Sequence, residues 1–264
     1  MDDGDVHVLE DGKPGAPAVL LIQNAVAPLA LWDPLVPLLA DGYRVIRVDL
    51  IGHGRSGPDA GYDVPAQARR AGAVLDKLGA GRVMVIGHSS GGSVATALAE
   101  QRPGKMRALA LIDTGPSPDA KLPEPPAARL LMAPLAGRLL WQLKTEATIR
   151  KAARTGFTSP VVIPDALIAH TQALTYRSFT ATMRGYGDYI GQRSIPDRLA
   201  ALGLPVLVIF GADDRRWRSS SAAAYRDVPG ARVELLPGLG HTPIVEDPEA
   251  TAKLLLDFAA AHPR

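Results

Sequence analysis

The chain has 264 residues, a formal net charge of +2 and no cysteine. Without cysteine, disulfide frameworks, thiolate zinc sites and iron–sulfur clusters are excluded. The length fits one α/β domain that carries an insertion, or two small domains. The start of the chain, MDDGDVHVLEDG, lacks the basic residues and apolar run of a signal peptide, and no apolar stretch approaches the roughly 18 residues that span a bilayer. We therefore expect a soluble cytoplasmic protein with no membrane partner.

The basic residues are dispersed among acidic ones, and the tightest basic cluster is Arg215, Arg216 and Arg218 around Trp217. Domains that bind nucleic acids carry a dense basic face or stripe, which this pattern does not provide. We interpret these arginines as solvated side chains or salt-bridge partners, and we expect no nucleic-acid partner. The expected partner is a small-molecule substrate, and the composition predicts no particular oligomeric state.

Short apolar runs recur along the chain, and most of them are followed by a turn and a helical pattern. Nearly all-apolar strands that alternate with helices indicate an α/β fold with a mainly parallel central sheet flanked by helices. Ligands bind such sheets at the carboxyl ends of the strands, so the chemistry is expected just after them. The predicted strands are an edge strand in VHVLED and residues 19–23, 43–50, 82–87, 109–115, 205–211 and 232–238.

Helical patterns follow these strands at residues 65–81 and 93–104, and a last helix is predicted over 247–262. The alternation breaks between residues 117 and 203, where a Pro-rich linker precedes helical segments and no convincing strand. We interpret this stretch as a helical cap inserted between two late strands. The predicted domains are therefore an α/β core formed by residues 1–116 and 204–264, and a cap or lid formed by residues 117–203.

The segment GHSSGG, residues 87–92, lies between the predicted strand 82–87 and the helix that follows it. Residues 87–91 match the pattern Gly-x-Ser-x-Gly, whose glycines remove Cβ atoms where strand and helix approach each other. Ser89 would then sit in a strained conformation with its side chain exposed above the sheet. Ser90 would begin the helix, with its backbone N–H placed to stabilise an oxyanion and its hydroxyl pointing elsewhere. The alternative is a glycine-rich turn with an ordinary surface serine.

A serine hydroxyl needs a general base to become a nucleophile, and the base needs an orienting carboxylate. Asp213 and Asp214 follow the strand at 205–211, and His241 follows the next strand. All three therefore come after consecutive strands, in the order serine, aspartate, histidine. Taken singly, the aspartates could be turn residues and the histidine a loop residue bonded to the backbone. No two histidines have metal-ligand spacing and no glycine-rich loop matches a phosphate cradle, so we expect no metal and no cofactor.

Six segments carry a resemblance to a known family: VLLIQNA, WDPLVPLLA, RVDLIGHGRSG, VIGHSSGG, VLVIFGADD and PGLGHTPIVEDPE. Over nearly its whole length the chain resembles the α/β-hydrolase fold superfamily, in particular serine hydrolases with a helical cap. The resemblance implies Ser89 as the nucleophile, His241 as the base and Asp214 as the acid, with Asp213 as the weaker candidate. Asp113, in LIDTG, lies where some of these hydrolases keep their acid.

The resemblance also implies an oxyanion hole formed by two backbone N–H groups, those of Ala25 and Ser90. Related hydrolases usually have His-Gly before the first donor, whereas this chain has Gln23-Asn24. Glycine is favoured there because the loop bends through conformations that are unfavourable for other residues. Asparagine is the next most tolerant of positive φ, so we expect the bend and the hole to be kept.

The function implied is a serine hydrolase that cleaves a small-to-medium apolar carboxylic ester, lactone or thioester through an acyl-enzyme. A serine nucleophile argues against epoxide hydrolases and haloalkane dehalogenases of the same fold, which use aspartate. The candidates for substrate binding are His88, Trp141, Tyr176 and Phe179. For the three cap residues, the alternative is that they pack the cap onto itself.

Other functions remain open on the same residues. Similar triads support carbon–carbon bond hydrolysis, cofactor-free perhydrolysis and cyclisation in natural-product pathways. A non-catalytic ligand-binding or sensor protein on the same fold is an alternative from another class, because a fold alone does not determine function.

Overall fold

The structure of the chain is a computed structural model that describes residues 5–57 and 61–263. The predicted core domain also includes residues 1–4, 58–60 and 264, which lie outside the described residues. Among the residues described, no helix combines the length and the apolarity that crossing a bilayer requires.

Seven strands in the described part of the chain form one sheet in the order β1-β3-β2-β4-β5-β6-β7. The pair β1 and β3 is antiparallel, and every other neighbouring pair is parallel. The predicted α/β fold with a mainly parallel sheet is therefore confirmed. The strands are β1 (Val8–Asp11), β2 (Ala18–Ile22), β3 (Arg44–Val48), β4 (Val83–His88), β5 (Met106–Ile112), β6 (Val206–Gly211) and β7 (Arg232–Leu236).

The central strands are apolar because both faces of the sheet are covered. Every residue of β2, β4, β5 and β6 is buried. Successive side chains of β2 enter two different hydrophobic clusters, Leu20 one of them and Leu21 the other, as expected when a strand alternates between two covered faces. β5 begins at Met106 rather than at the predicted residue 109, because a charged residue, Arg107, interrupts the apolar run that marks the strand.

The helices cover the two faces and form the insertion. They are α1 (Val36–Ala40), α2 (Val64–Lys77), α3 (Ser90–Gln101), α4 (Pro126–Leu131), α5 (Pro134–Gln142), α6 (Glu146–Arg154), α7 (Asp165–Ala173), α8 (Tyr176–Gln192), α9 (Ile195–Ala200), α10 (Pro243–Glu246) and α11 (Pro248–Ala261). Helices α2 and α3 contribute to the cluster on one face of the sheet, and α1 and α11 contribute to the cluster on the other.

The helices α4 to α9 lie between β5 and β6 and form the helical cap. The end of this insertion is packed into the core: Tyr189 of α8 and Ile195 and Leu199 of α9 belong to the same hydrophobic cluster as α2 and α3. The cap is therefore attached to the sheet domain by an extensive apolar contact. The division at residues 117 and 203 stays a prediction.

His53 lies where the cap meets the loop after β3. Its side chain is buried, its Nε2 lies 3.3 Å from the hydroxyl of Thr182 in α8, and its ring stacks on His170 of α7 at 5.9 Å between centroids. Burial, with a smaller contribution from His170, lowers the pKa of His53 to about 3. The ring is therefore neutral in the folded protein at neutral pH.

This buried histidine makes the folded state less stable in acid. Its ordinary pKa is 6.5, so between pH 6.5 and 3 the unfolded chain binds a proton that the folded chain does not. The resulting loss of unfolding free energy is about 2 kcal/mol at pH 5. Urea denaturation at pH 7 and at pH 5 measures this loss. When the pH falls from 7 to 5, we expect the wild type to lose about 2 kcal/mol more unfolding free energy than His53→Gln.

The comparison with the variant isolates His53 from groups that titrate in the opposite direction. Asp113, described below, has a raised pKa, so its folded form keeps a proton that the unfolded chain releases, and this stabilises the protein as the pH falls. An identical pH dependence in the wild type and in His53→Gln would show that His53 is not held neutral.

Candidate active site

Ser89 occupies a strained turn between β4 and α3. Its backbone has φ 53° and ψ −121°, a region that non-glycine residues rarely enter. Its N–H donates to the carbonyl of Ile112 at 2.8 Å, which ties the turn to the end of β5. Among the described residues, Asp113 is the other non-glycine residue with positive φ, at 45°. Two strained residues therefore lie next to each other at the carboxyl edge of the sheet.

The glycines around Ser89 allow backbone to approach backbone. A Cβ on Gly87 would lie 2.6 Å from the carbonyl oxygen of Gly91, and a Cβ on Gly91 would lie 2.3 Å from the carbonyl oxygen of Ile22. Real Cβ atoms do not come so close, so both positions require glycine. As a consequence, the first turn of α3 packs directly against the loop that follows β2 and brings Ser90 to Ala25.

The side chains of Ser89, His241 and Asp214 form a continuous hydrogen-bonded chain. His241 Nε2 lies 3.0 Å from Ser89 Oγ, and His241 Nδ1 lies 2.8 Å from Asp214 Oδ2. With Asp214 ionised, Nδ1 carries the proton and Nε2 is free to accept from the serine hydroxyl. The histidine and the aspartate are buried, whereas Ser89 is partly exposed. The arrangement leaves the serine hydroxyl as the accessible end of the chain.

Asp214 is held as a carboxylate in this position. Its Oδ1 accepts hydrogen bonds from the N–H groups of Arg216 at 2.7 Å and Trp217 at 3.3 Å. Burial alone would raise the pKa of Asp214, but attraction to His241 and the hydrogen bonds it accepts outweigh burial and lower that pKa. Asp213, the weaker candidate, is exposed, and its backbone carbonyl accepts a hydrogen bond from the hydroxyl of Thr158.

A second buried carboxyl group, that of Asp113, lies beside this chain. Asp113, Asp214 and His241 each offer one polar atom within 4.8 Å of the others. Asp113 Oδ1 accepts from the N–H of Gly211 at 2.9 Å. Burial, together with the charge of Asp214, raises the pKa of Asp113 well above its ordinary value, so this carboxyl group is neutral beside the Asp214 carboxylate. Asp113 therefore lies beside Asp214, whereas Asp214 itself makes the 2.8 Å contact with His241 Nδ1.

These three side chains also have the composition of a metal-ligand set. His241 Nδ1 and both oxygens of Asp214 are already engaged in hydrogen bonds within the protein. A metal ion would have to break the contacts that orient His241. The geometry therefore favours the hydrogen-bonded chain, and the expectation of no metal and no cofactor stays a prediction.

Glu246 holds the backbone around His241, and no pattern in the sequence indicated this role. Its Oε1 accepts from the N–H of Gly240 at 2.9 Å, and its Oε2 accepts from the N–H groups of Thr158 and Ser159, both at 2.8 Å. One carboxylate therefore joins the His241 loop to the segment after α6 of the cap. No local pattern marks this role, because its partners in the cap are about 90 residues away in the sequence.

His88 supports His241 from the other side. Its Nε2 donates to the carbonyl of His241 at 2.7 Å, and its Nδ1 accepts from Asn24 Nδ2 at 3.0 Å. Burial, followed by the charge of His241, lowers the pKa of His88 to about 3, so the ring is neutral. Both ring nitrogens are engaged within the protein. These contacts favour a supporting role over the predicted contact with a substrate.

The other three predicted substrate-binding residues form an aromatic cluster within the cap. Trp141 stacks on Phe179 at 4.6 Å between ring centroids and lies 6.2 Å from Tyr176. Trp141 Nε1 donates to the carbonyl of Leu174 at 2.9 Å, and the hydroxyl of Tyr176 lies 2.9 Å from the carbonyl oxygen of Ala133. These contacts hold α5 against α8. A contact of these residues with a substrate stays a prediction.

The loop after β2 differs from expectation in two respects. Neither Gln23 nor Asn24 has the positive φ for which asparagine was expected to substitute for glycine, since the described non-glycine residues with positive φ are Ser89 and Asp113. The N–H of Ala25 donates to the side-chain hydroxyl of Ser90 at 2.8 Å. The Ser90 hydroxyl was expected to point away from the oxyanion hole, and that expectation is wrong. The cause is the close approach at Gly91, which places the first residue of α3 against the loop. The strand–turn–helix pattern alone does not show which residue faces the Ser90 side chain.

Comparison with known proteins places the chain in a family. The model of the alpha/beta hydrolase family matches residues 26–254. The chain is 30% identical over 263 residues to a Variovorax paradoxus protein provisionally named carbamate hydrolase RutD, and the match covers 97% of this chain and 95% of that protein.

Two solved structures are similar to the whole chain. One is a variant of the N-acyl homoserine lactonase AidH in complex with N-hexanoyl homoserine (TM-score 0.83, 20% identity, 100% of this chain and 95% of the other). The other is a Burkholderia cenocepacia protein provisionally named an aryl esterase (TM-score 0.83, 23% identity, 97% of this chain and 94% of the other). At these identities the structures show the fold alone. The family model and the full-length relative show that the chain belongs to the alpha/beta hydrolase family and is a hydrolase on the α/β fold.

Proposed function

We propose that the protein is a serine hydrolase that cleaves a small-to-medium apolar carboxylic ester, lactone or thioester through an acyl-enzyme. The observation that carries this proposal is the hydrogen-bonded chain from Ser89 through His241 to Asp214, with distances of 3.0 and 2.8 Å. These distances lie within the range that general-base activation of a nucleophile needs.

The proposed reaction begins when His241 Nε2 accepts the proton of Ser89 and Ser89 Oγ attacks the substrate carbonyl carbon. Asp214 stabilises the positively charged imidazole and keeps its orientation. The N–H of Ser90, at the amino end of the 12-residue helix α3, donates to the developing oxyanion. His241 then protonates the leaving group, and a water molecule that His241 activates hydrolyses the acyl-enzyme.

The substrate class rests on two kinds of support. The relative named as a carbamate hydrolase and the neighbours named as a lactonase and an aryl esterase all act, by their names, on a carbonyl carbon bonded to nitrogen or oxygen. The cap contains the aromatic cluster of Trp141, Phe179 and Tyr176, and it is rich in leucine. An apolar acyl group fits such a cover better than a charged one.

A series of p-nitrophenyl esters with increasing acyl chain length tests the proposal. We expect a burst of p-nitrophenol followed by steady turnover, and covalent labelling by a fluorophosphonate that peptide mapping assigns to Ser89. Folded protein that shows neither turnover nor labelling would favour the non-catalytic ligand-binding alternative. Labelling at Ser90 would show that the nucleophile is wrongly assigned.

A further inference from the structure

The N–H of Ala25 is the second expected donor to the oxyanion. The hydroxyl of Ser90, however, already occupies the position in which an acceptor of this N–H would lie. An oxyanion binds about 2.7–3.1 Å from a donor nitrogen. Ser90 Oγ lies 2.8 Å from the nitrogen of Ala25, and both residues are buried. An oxyanion therefore cannot bind this N–H directly while the hydroxyl stays in place.

The loop that carries Ala25 is fixed from several sides. The side chain of Gln23 is buried, and both ends of its amide are hydrogen-bonded. The NH₂ group donates to the carbonyl of Val48 at 2.6 Å, and the oxygen accepts from the N–H of Leu50 at 3.1 Å. Asn24 accepts from the N–H of Val26 at 3.0 Å and donates to His88. The N–H of Ala25 is therefore not free to turn towards another position.

The hydroxyl of Ser90 keeps its own proton available. A serine hydroxyl can accept one hydrogen bond and donate another. Among the residues that the structure describes, the Ser90 hydroxyl accepts from Ala25 and has no acceptor for its own O–H. A hydroxyl that accepts a hydrogen bond becomes a better donor, because hydrogen bonds in a chain polarise one another.

Resting on the proposed function, we propose that the Ser90 hydroxyl is a catalytic donor of the oxyanion hole. Its O–H donates to the oxyanion beside the N–H of the same residue, and the N–H of Ala25 supports the hydroxyl from behind. The proton stays on Ser90 throughout, so no bond to Ser90 forms or breaks. The two adjacent serines then have separate roles: Ser89 attacks the carbonyl, and Ser90 stabilises the charge that the attack creates.

The test compares Ser90→Ala with Ser93→Ala in the full chain. Ser93 is a buried serine of the same helix whose hydroxyl makes no hydrogen bond within the described residues, so it is a matched control. We expect Ser90→Ala to lower kcat for a p-nitrophenyl ester by about 10²–10³-fold with little change in KM, because an oxyanion donor acts in the transition state. The N–H of Ala25 cannot take over the role of the missing hydroxyl, because the hydroxyl lies between this N–H and the oxyanion. Ser93→Ala should keep the wild-type kcat.

The outcomes separate this inference from a folding defect and from the proposed function. Ser90→Thr retains a hydroxyl, and it should recover part of the kcat that Ser90→Ala loses. A kcat of Ser90→Ala equal to or above the wild-type value would overturn the inference, since the hydroxyl would then be dispensable or would block the hole. The inference would also be overturned if Ser90→Ala had a clearly lower thermal unfolding temperature than the wild type and Ser90→Thr recovered none of the lost kcat. If the wild type neither turns over acyl esters nor is labelled at Ser89, the proposed function fails and this inference fails with it.

Discussion

Replacing Ser89 by alanine is expected to lower kcat for acyl esters by about 10⁴-fold or more, because the proposed nucleophile is lost while the rest of the site remains. His241 and Asp214 should keep their 2.8 Å contact, since it does not depend on the serine. The measurement is steady-state turnover of a p-nitrophenyl ester, together with fluorophosphonate labelling. Residual activity within about tenfold of the wild type would place the nucleophile elsewhere.

A second variant at the same position separates chemistry from folding. Ser89 has φ 53°, and strain of this kind destabilises a non-glycine residue by roughly 1–3 kcal/mol. Ser89→Gly should therefore be as inactive as the alanine variant but at least as stable as the wild type in urea denaturation. An inactive and clearly destabilised glycine variant would contradict the assignment of strain to this turn.

Replacing Asp214 by asparagine is the change with the second largest expected effect, a loss in kcat of about 10⁴-fold. The amide keeps the size of the side chain, but its NH₂ group cannot accept from Nδ1 of His241 and its oxygen carries no full charge to stabilise the imidazolium. Asp213→Asn is the matched control, since Asp213 is the adjacent aspartate and is exposed. Its kcat should stay within about threefold of the wild type, as for other surface changes away from the reacting atoms.

Asp113→Asn completes this comparison. An asparagine at position 113 is uncharged, as the protonated Asp113 is, so the carboxylate beside His241 should stay ionised and much of the activity should remain. A large loss in Asp113→Asn together with nearly full activity in Asp214→Asn would assign the acid to the end of β5. The pair of variants therefore decides between the two buried carboxyl groups.

Local patterns were sufficient for the fold and for the position of the serine turn. The strands β2, β4 and β6 appear as nearly continuous apolar runs because helices cover both faces of the sheet, and the edge strands β1 and β7 are more polar. The strained turn at Ser89 has a local cause as well, because the glycines that permit it lie within three residues. Patterns of this kind can be identified in the sequence because neighbouring residues produce them.

The support of the site depends on contacts between distant segments. Glu246 joins the His241 loop to the cap, and Asn24 reaches His241 through His88. Apart from the contact of Glu246 with Gly240, the partners are separated by about 60 to 150 residues in the chain. A single sequence carries no sign of such pairs, since any buried polar residue can be satisfied by many different partners.

The amino-acid sequence by itself determined the α/β fold with its helical cap, and it predicted the serine, histidine and aspartate that the structure brings together, because strand order places the residues after consecutive strands at one edge of a sheet. Only the tertiary structure decided that Asp214 rather than Asp213 contacts His241, that Asp113 lies beside it, and that the Ser90 hydroxyl accepts from Ala25. Asp213 and Asp214 are neighbours in the chain, as are Ser89 and Ser90, and the members of each pair differ in the direction of their side chains. That direction depends on packing between segments that are far apart in the chain.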